Sequence, residues 1–458
     1  MFPDTSYRQR RQQLLWQLAD SGDGNAAASA GLILILGHDD EPYTFAANPY
    51  PFRQDSSFLY YFGLSYPGLA GLLDLATGNV TLIATPQDEA GTLWFARPGP
   101  EAMAQRCGVD RVVNERRLEG ILLEASRKGR GIHYLPPYRA AQKLRLANLI
   151  GIEHAQPQPS RPLIRAVVTQ REVKSAEELA QIDAALAITE RMHGTVRQAA
   201  TDGIEEAALV NAMTAELTRS GARMAYAPIC TRDGHVLHQL THHNTLRSGD
   251  FLLVDAGAEV DSGYAGDITR THCVDDVWTD VQRLIYSTVK RAQEVCAKQA
   301  CPGVAMADLH RLAARVIVEG LAPLKLFRGS VDAIVETGAY ALVFPHGLGH
   351  LLGLDVHDME SLGEDQVGYD EQHHRDPRFG PAHLRLGKHL REGMVITIEP
   401  GIYFIPALWE RWQAHESYRD LIDADAGARV MATAGVRIED NFVIEPTGAR
   451  RLGPVIPS

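Results

Sequence analysis

Carboxylates stand at the ends of short, mainly apolar runs in the second half of this 458-residue chain, and no other pattern constrains its fold as strongly. Three runs end this way: Phe251–Val254 before Asp255, Val395–Ile398 before Glu399 and Val436–Ile438 before Glu439. Apolar runs of this length are typical of buried strands. Because strand side chains alternate between two faces, Val395, Thr397 and Glu399 share one side. The sequence therefore predicts several acidic side chains that point into one buried core.

A fourth carboxylate, Asp267, lies in the segment Gly266–Thr271, just past a Ser262-Gly263 turn signal. Unpaired buried charge costs several kcal/mol per ion, so buried carboxylates need cations. Four carboxylates carry a formal charge of −4, which two divalent ions would balance, and this favours a dinuclear site. With His350 added, the donor set is rich in oxygen and suits Mn²⁺, Co²⁺ or Mg²⁺ better than a structural Zn²⁺. Two such ions lower the pKa of a shared water, as amide hydrolysis requires.

Five segments resemble, in order, the motifs of the pita-bread metallopeptidases. They are Val254–Gly257 through Gly266–Arg270, His346–His350, Asp355–Asp358, Thr397–Tyr403 and Gly435–Asp440. From about Arg171 to the C-terminus the chain is most similar to the branch of Xaa-Pro aminopeptidases and prolidases. The segment Arg53–Tyr60 with Gly63 resembles the N-terminal domain of bacterial Xaa-Pro aminopeptidases. The resemblance implies an α/β N-terminal domain and an α+β pita-bread (creatinase/aminopeptidase-like) catalytic domain.

The resemblance also implies roles for individual residues. The metal ligands would be Asp255, Asp267, His350, Glu399 and Glu439. Glu399 would in addition be the general acid/base, since a carboxylate beside two cations stays ionised and can accept a proton from water. His238 and His357 match histidines that bind or polarise the scissile carbonyl, where a hydrogen-bonding imidazole suits the developing oxyanion.

Three further residues are expected close to the metals. His346 matches a position behind the ligands and is expected to contribute to substrate binding. Arg437 lies two residues before Glu439 on the same face, where it can orient a carboxylate ligand or the substrate. Arg385 lies fourteen residues before Glu399. Prolidases have an arginine at this spacing that holds the free carboxylate of a C-terminal proline, a task that suits a fixed guanidinium fork.

Simpler interpretations exist for several of these residues. A solvated loop position is the alternative for Arg385 and for the three histidines outside the ligand set. The spacing of His346 and His350 resembles that of HExxH, but the Glu is missing and the interleaved glycines disfavour a helix, which excludes a zincin. Five more histidines are assigned to the surface: His235, His242, His243, His373 and His374.

Composition excludes several classes of partner. The net charge of −12 argues against a nucleic-acid or anionic-membrane surface. The five cysteines are odd in number and lack CxxC spacing, which is typical of reduced cysteines in a cytoplasmic protein. The N-terminus has no apolar signal core, and the longest early apolar run, Leu32–Leu36, is too short to span a bilayer. We expect a cytoplasmic homo-oligomer, a dimer or tetramer, that binds short proline-containing peptides.

The pattern of elements predicts two domains. Strands predicted at 32–36, 72–75, 80–84 and 132–135 alternate with helical stretches, which indicates an α/β layer domain. The proline-rich stretch Gln156–Pro162 predicts the boundary, and hence domains 1–162 and 163–458. Beyond it, capping boxes at Ser175 and Thr279 predict the starts of two helices. These helices are expected to lie outside a mainly antiparallel sheet.

Two features depart from the family pattern. Asp255 and Asp267 are twelve residues apart, where many relatives have eleven. An extra residue within a strand would turn Asp267 to the opposite face, so we expect a bulge or a longer hairpin loop at Glu259–Gly263. The segments 360–390 and 404–434 are also long. Loops of this length in a compact domain are usually functional or pack against a partner.

The sequence thus predicts a metal-dependent exopeptidase that hydrolyses the bond between an N-terminal residue and proline. The expected ions are two Mn²⁺, with Co²⁺ or Zn²⁺ as alternatives. Proline needs a dedicated site because its amide has no N–H and its ring fixes the backbone. The N-terminal half favours an Xaa-Pro aminopeptidase, whereas Arg385 and the long segments favour an Xaa-Pro dipeptidase. The complete ligand set argues against the metal-free relatives, which are creatinase-like hydrolases or binding modules.

Overall fold

The computed structural model of the chain describes residues 2–20, 30–151 and 158–457. The chain divides into two compact units, one of Met1–Arg171 with Ser361–Gln366 and one of Glu172–Glu360 with Val367–Ser458. Gln156 and Pro157 of the predicted boundary lie outside the described residues. The domain limits 1–162 and 163–458 therefore stay a prediction.

The first unit contains a mixed sheet of five described strands. These are β1 (Leu32–Leu36), β2 (Ala70–Asp74), β3 (Val80–Ile83), β4 (Arg111–Val113) and β5 (Ile132–Tyr134). Their order is β4-β3-β2-β1-β5; β1 is parallel to β5 and β3 to β4, and the other neighbours are antiparallel. In register, Leu34 pairs with Leu72 on one side and Tyr134 on the other. All of β1 is buried, as expected for a continuous apolar strand covered on both faces.

Helices surround this sheet, which confirms the predicted α/β domain. They are α1 (Asp4–Asp20), α2 (Ser56–Phe62), α3 (Glu89–Trp94), α4 (Pro100–Cys107), α5 (Leu118–Arg127), α6 (Ala140–Ile150) and α7 (Arg161–Arg171). Leu122 of α5 and Leu146 of α6 join one hydrophobic cluster with Leu34 of β1. Gly71 of β2 has no side chain, and any Cβ there would collide with the Phe62 ring of α2. The glycine is therefore needed for close packing between α2 and the sheet.

The helices that follow include two that begin at the predicted capping boxes. They are α8 (Ala176–Ala199), α9 (Glu206–Arg219), α10 (Asp280–Gln299), α11 (Met306–Gly320), α12 (Val331–Thr337), α13 (Glu364–Val367), α14 (Pro406–Gln413) and α15 (Ala424–Val430). Ser175 and Thr279 each make both hydrogen bonds of a capping box, so the predicted starts of α8 and α10 are confirmed. Among the described residues, no helix is both long and apolar enough to cross a bilayer.

The second unit is built on short antiparallel strands, which confirms the predicted α+β class. They are β6 (Arg223–Met224), β7 (Ile229–Thr231), β8 (Phe251–Ala256), β9 (Ala258–Glu259), β10 (Ile268–Cys273), β11 (Val395–Ile398), β12 (Gly401–Tyr403), β13 (Gly435–Arg437), β14 (Asp440–Glu445) and β15 (Gly448–Arg451). The described sheets run β10-β8-β7, β11-β14-β15, β12-β13 and β6-β9. Met192 of α8 and Leu209 and Met213 of α9 pack with Leu252 and Val254 of β8 in one core cluster.

The register between β8 and β10 places the first two acidic residues on one face. Asp255 pairs directly with Thr269, and Asp267 lies two residues before Thr269. Residues two apart in an extended segment share a face, so Asp267 lies on the side of Asp255. The connecting hairpin closes through a Glu259–Ala265 bridge. The twelve-residue spacing is therefore accommodated without turning either carboxylate away from the other.

A buried histidine in α11 should make the second unit sensitive to acid. His310 is only 2% exposed, its Nε2 lies 2.9 Å from the Tyr340 hydroxyl, and its ring packs against Phe344. Burial lowers the pKa of His310 to about 4, against about 6.5 for an unfolded histidine. Between these values the unfolded chain binds a proton that the folded chain does not. The free energy of unfolding should therefore decrease as the pH is lowered through this window, by up to about 1.4 kcal/mol per pH unit for this residue.

We expect His310→Gln to remove this contribution. In urea unfolding monitored from pH 7 to pH 5, the free energy of unfolding of the variant should fall less than that of the unchanged protein. His374→Gln is the matched control, because His374 is exposed and should leave the pH dependence unaltered. An identical pH dependence in His310→Gln and in the unchanged protein would contradict the prediction.

Candidate metal centre

Asp255 and Asp267 lie side by side at the centre of the candidate site. The Tyr226 hydroxyl oxygen is 2.6 Å from Oδ1 of each carboxylate. A hydroxyl has one hydrogen and can donate to only one of them at a time. Both carboxylates are nearly inaccessible, with 9% and 5% of the residue exposed. The two carboxylates therefore share one hydroxyl hydrogen in a place that water scarcely reaches.

His350 and Glu399 reach the same place from neighbouring segments. The His350 amide donates to Thr397 Oγ1 at 3.0 Å, and the Thr397 amide donates to the His350 carbonyl at 2.9 Å, which ties the histidine to β11. His350 Nε2 lies 3.4 Å from Asp267 Oδ2 and 3.5 Å from Glu399 Oε1. Its Nδ1 lies 3.0 Å from the Leu351 carbonyl. That carbonyl fixes the ring and leaves Nε2 to act as a ligand.

Glu439, between β13 and β14, completes the predicted ligand set. Its amide donates to the Thr269 carbonyl at 3.0 Å, and its Oε2 accepts a 2.7 Å hydrogen bond from Thr269 Oγ1. Its Oε1 is buried without a hydrogen-bond partner. Ligand atoms of Asp267, His350 and Glu439 all lie within 4.8 Å of one another. A buried oxygen that lacks a donor is costly unless a cation binds it.

Arg437 contacts a candidate ligand directly. Its Nη2 lies 2.5 Å from Asp255 Oδ2, its Nε donates to Thr269 Oγ1 at 3.1 Å, and its Nη1 donates to the Tyr403 hydroxyl at 2.8 Å. The residue is 5% exposed. The geometry therefore fits the first of its two predicted roles, the orientation of a carboxylate ligand, while direct contact with substrate stays a prediction.

His357 lies next to His350, with ring centroids 4.0 Å apart. Its Nδ1 is 3.1 Å from Glu360 Oε2, and the same oxygen accepts a 2.6 Å hydrogen bond from Nη1 of Arg385. Glu360 thus joins two of the predicted site residues. Arg385 is placed at the edge of the site, about a third exposed, and already engages a carboxylate of its own chain.

His346 and His238 occupy different depths. His346 Nε2 lies 2.8 Å from the Tyr403 hydroxyl, and its Nδ1 is 3.9 Å from Glu399 Oε2. Burial, assisted by the charge of Arg437, lowers the pKa of His346 to about 3, and His238 adds to this effect. His238 itself is exposed in the turn that follows β7. The structure therefore brings His346 and His357 to the ligands and leaves His238 on the outer side.

Burial shifts the pKa values of several groups in the acidic cluster. Burial raises the pKa of Glu399 to about 7 and also raises the pKa values of Asp255 and Glu439. For His350 burial acts in the opposite direction, but the hydrogen bond that its ring donates to Asp267 and the nearby negative charges still raise its pKa to about 9. The surroundings thus favour positive charge beside the carboxylates. Buried oxygens, one imidazole and an unpartnered Glu439 oxygen fit divalent cations.

Four residues of the site were not predicted from the sequence: Tyr226, Thr269, Glu360 and Tyr403. Thr269 could have been found, because it lies two residues beyond Asp267 and shares its face. Tyr226 had no such signal, since it is 29 residues from Asp255 and outside the recognised motifs. Tyr403 lies inside the Thr397–Tyr403 motif, but its contacts with Arg437 and His346 depend on tertiary structure.

Comparisons with known proteins agree with this geometry. The model of a family described as metallopeptidase family M24 matches residues 180–446, more than half of the chain. The chain belongs to metallopeptidase family M24. A second model, for the aminopeptidase P N-terminal domain, matches residues 7–133 of this M24 chain. These matches confirm the predicted family and its two-part fold. Membership of this metallopeptidase family implies that the chain binds divalent metal ions.

Individual relatives extend over nearly the whole M24 chain. It is 31% identical to the Xaa-Pro dipeptidase of Homo sapiens over 440 residues, 93% of this chain and 87% of that protein. It is 30% identical to the Xaa-Pro aminopeptidase of Escherichia coli (strain K12) over 461 residues, 97% and 93% of the two chains. The solved structure of proline aminopeptidase P II from Yersinia pestis matches with a TM-score of 0.77 and 27% identity, and covers 98% of this chain and 96% of that chain.

Proposed function

We propose that this M24 chain is a metal-dependent Xaa-Pro aminopeptidase, which releases the N-terminal residue of peptides with proline in second position. The observation that carries the proposal is the convergence of five ligand-type side chains on one buried site. They are Asp255, Asp267, His350, Glu399 and Glu439. We propose that they bind two divalent ions, Mn²⁺ in the first place and Co²⁺ or Zn²⁺ as alternatives.

Glu399 is proposed to carry the proton transfers. When bound, the ions would polarise the scissile carbonyl and make a water more acidic. A carboxylate oxygen of Glu399 takes a proton from the attacking water while the water oxygen forms a bond to the carbonyl carbon. The same proton passes to the proline nitrogen as the carbon–nitrogen bond breaks. Glu399 suits this task because it lies 3.5 Å from the ligand His350 and its side chain is only 18% exposed.

The surrounding residues are proposed to position the reactants. Arg437 and Tyr226 hold Asp255 from two directions. His357, beside His350, and His238, in the turn that follows β7, are proposed to bind the scissile carbonyl. His346 is proposed to support the substrate pocket through its contact with Tyr403. The role of His238 rests on the match to the family pattern, and the other roles rest on the distances given above as well.

The contact between Arg385 and Glu360 favours an aminopeptidase over a dipeptidase. A dipeptidase needs a cation for the free carboxylate of the proline. Here Arg385 donates to Glu360 at 2.6 Å, so a substrate carboxylate would have to compete with a carboxylate of the enzyme. Longer peptides have an uncharged amide carbonyl at this position and meet no such competition. Dipeptidase activity is the alternative function, because a human relative is named Xaa-Pro dipeptidase.

A substrate-length series tests the proposed function. Apo-protein is reloaded with Mn²⁺, Co²⁺ or Zn²⁺ and assayed on Xaa-Pro dipeptides and Xaa-Pro-Yaa tripeptides. Equal or faster hydrolysis of the tripeptides supports the aminopeptidase. Activity confined to dipeptides rejects it in favour of the dipeptidase. Failure to hydrolyse either length with any of the three metals would reject both.

Arg385→Ala should affect the two substrate lengths differently. If the guanidinium binds a proline carboxylate, the loss of a charge-assisted hydrogen bond of about 1.5–3 kcal/mol lowers kcat/KM for Xaa-Pro by roughly ten- to a hundredfold. Tripeptides should lose much less. Arg378→Ala is the control, because Arg378 is exposed on the same segment and pairs with Asp376 at 2.6 Å. An equal loss on both lengths would remove Arg385 from the site.

The compartment, the assembly state and the domain limits are also proposals. All five cysteines, each within the described residues, are unpaired, which supports a reducing compartment such as the cytoplasm. We also propose a homo-dimer or homo-tetramer, which sedimentation of the purified protein would test. The proposed domains are 1–162 and 163–458, and limited proteolysis would test that boundary.

A further inference from the structure

A second group of metal-ligating side chains lies in the long segment between α13 and β11. Ligand atoms of Asp370, His373 and His389 all lie within 4.8 Å of one another. His373 Nδ1 is 2.9 Å from Asp370 Oδ1, and His389 Nδ1 is 3.1 Å from Asp370 Oδ2. The two imidazole rings meet edge to face with centroids 4.5 Å apart. Two imidazoles thus approach the two oxygens of a single carboxylate.

The backbone holds this cluster in place. The amides of His373 and His389 donate to the Asp370 carboxylate at 2.8 and 3.2 Å. The Lys388 amide donates to the Gly368 carbonyl at 3.0 Å, which ties the two ends of the segment together. Backbone amides from both histidine segments therefore hold the Asp370 carboxylate in position between the two rings. Preorganisation of this kind is what a metal site requires of its surroundings.

The geometry and the donor types suit a small transition-metal ion. Zn²⁺ binds imidazole nitrogen and carboxylate oxygen at about 2.0–2.2 Å, so neighbouring tetrahedral ligands are about 3.3 Å apart. The observed nitrogen–oxygen separations of 2.9 and 3.1 Å are close to that value. Two imidazoles with one carboxylate are a ligand set that Zn²⁺ uses in proteins, in contrast to the oxygen-rich site at Asp255 and its neighbours. Side-chain exposures of 19% for His373 and 37% for His389 allow an ion to enter.

We propose that Asp370, His373 and His389 form a third metal site, selective for ions of the Zn²⁺ class, which closes residues 370–389 into a loop. Arg385 lies on that loop, four residues before His389. The surface assignment of His373 is corrected by the structure, since the side chain is mostly covered and contacts Asp370. Fifteen residues separate the two histidines, which explains why their spacing in the sequence showed no metal motif.

Metal stoichiometry of the full-length protein tests the proposal. The protein is stripped with a chelator, loaded with excess Mn²⁺ and then Zn²⁺, desalted, and its total Mn and Zn are measured by elemental analysis. The sum of Mn and Zn per chain is unaffected if Zn²⁺ displaces Mn²⁺ from the site at Asp255 and its neighbours. We expect the His373→Ala/His389→Ala double variant to hold one ion per chain fewer than the unchanged protein. His374→Ala, which removes an exposed neighbouring histidine, should hold the full number.

A more conservative variant protects the test against misfolding. Asp370→Asn keeps an oxygen for the backbone amides but loses the charged ligand, so it should also hold one ion fewer. Circular dichroism verifies that each variant is folded. An equal count in the folded variants and the unchanged protein would overturn the proposal and leave a hydrogen-bonded cluster. A similar loss in His374→Ala would also overturn it, because the ion would then bind surface histidines. The difference of one ion does not depend on peptide hydrolysis, so it stands or falls separately from the proposed activity.

Discussion

Glu399→Gln is expected to lower the turnover of Xaa-Pro peptides by about a hundredfold or more, the range lost with a positioned general acid/base. Glu399 follows β11 directly, and its Oε1 lies 3.5 Å from His350 Nε2. An amide of nearly the same shape cannot take the proton from water or return it to the proline nitrogen. The fold should survive, because the substitution keeps the volume of the side chain and removes one charge from the acidic cluster.

The measurement is kcat on a tripeptide, together with elemental analysis to show that the variant still carries metal. Glu392→Gln is the matched control: it is the same change seven residues earlier, at an exposed position. Turnover near that of the unchanged enzyme in a folded, metal-loaded Glu399→Gln variant would remove Glu399 from its catalytic role.

Arg437→Met is expected to destabilise the metal-free protein by about 3–5 kcal/mol, the cost of leaving a buried charge without its partner. The uncompensated charge is that of Asp255, whose Oδ2 lies 2.5 Å from Arg437 Nη2. In the metal-loaded protein the loss should be smaller, because bound cations would neutralise the same carboxylate. The measurement is the free energy of unfolding in urea, once with chelator and once with Mn²⁺.

Arg270→Met provides a matched control for this comparison. Arg270 Nη2 lies 2.6 Å from Asp440 Oδ1, and both residues are buried, with 1% and 5% exposed. Asp440 is outside the proposed ligand set, so the stability lost in this variant should be the same with and without metal. If Arg437→Met shows the same independence of metal, Asp255 does not bind the ion and the proposed ligand set is wrong.

Local patterns in the chain were enough to predict the ligand-bearing strands and the helix starts. Alternation within Val395–Ile398 places Glu399 on a defined face, and the side chains of Ser175 and Glu178 each accept a hydrogen bond from the other residue's backbone amide within one helical turn. These features depend on residues a few positions apart, which is why they can be predicted without a structure. The resemblance of five ordered motifs supplied the ligand set, which periodicity alone could not assign.

Other features depend on contacts between residues far apart in the chain. Tyr226 reaches Asp255 across 29 residues, Arg385 reaches Glu360 across 25, and His389 reaches Asp370 across 19. Each is a hydrogen bond whose partners are brought together by the packing of separate segments, so their local sequence contains no trace of the pairing. The local sequence thus determined which kind of chemistry the site supports. Which donors hold the carboxylates, and which carboxylate Arg385 contacts, was decided by tertiary structure, because those bonds form only once the segments have packed.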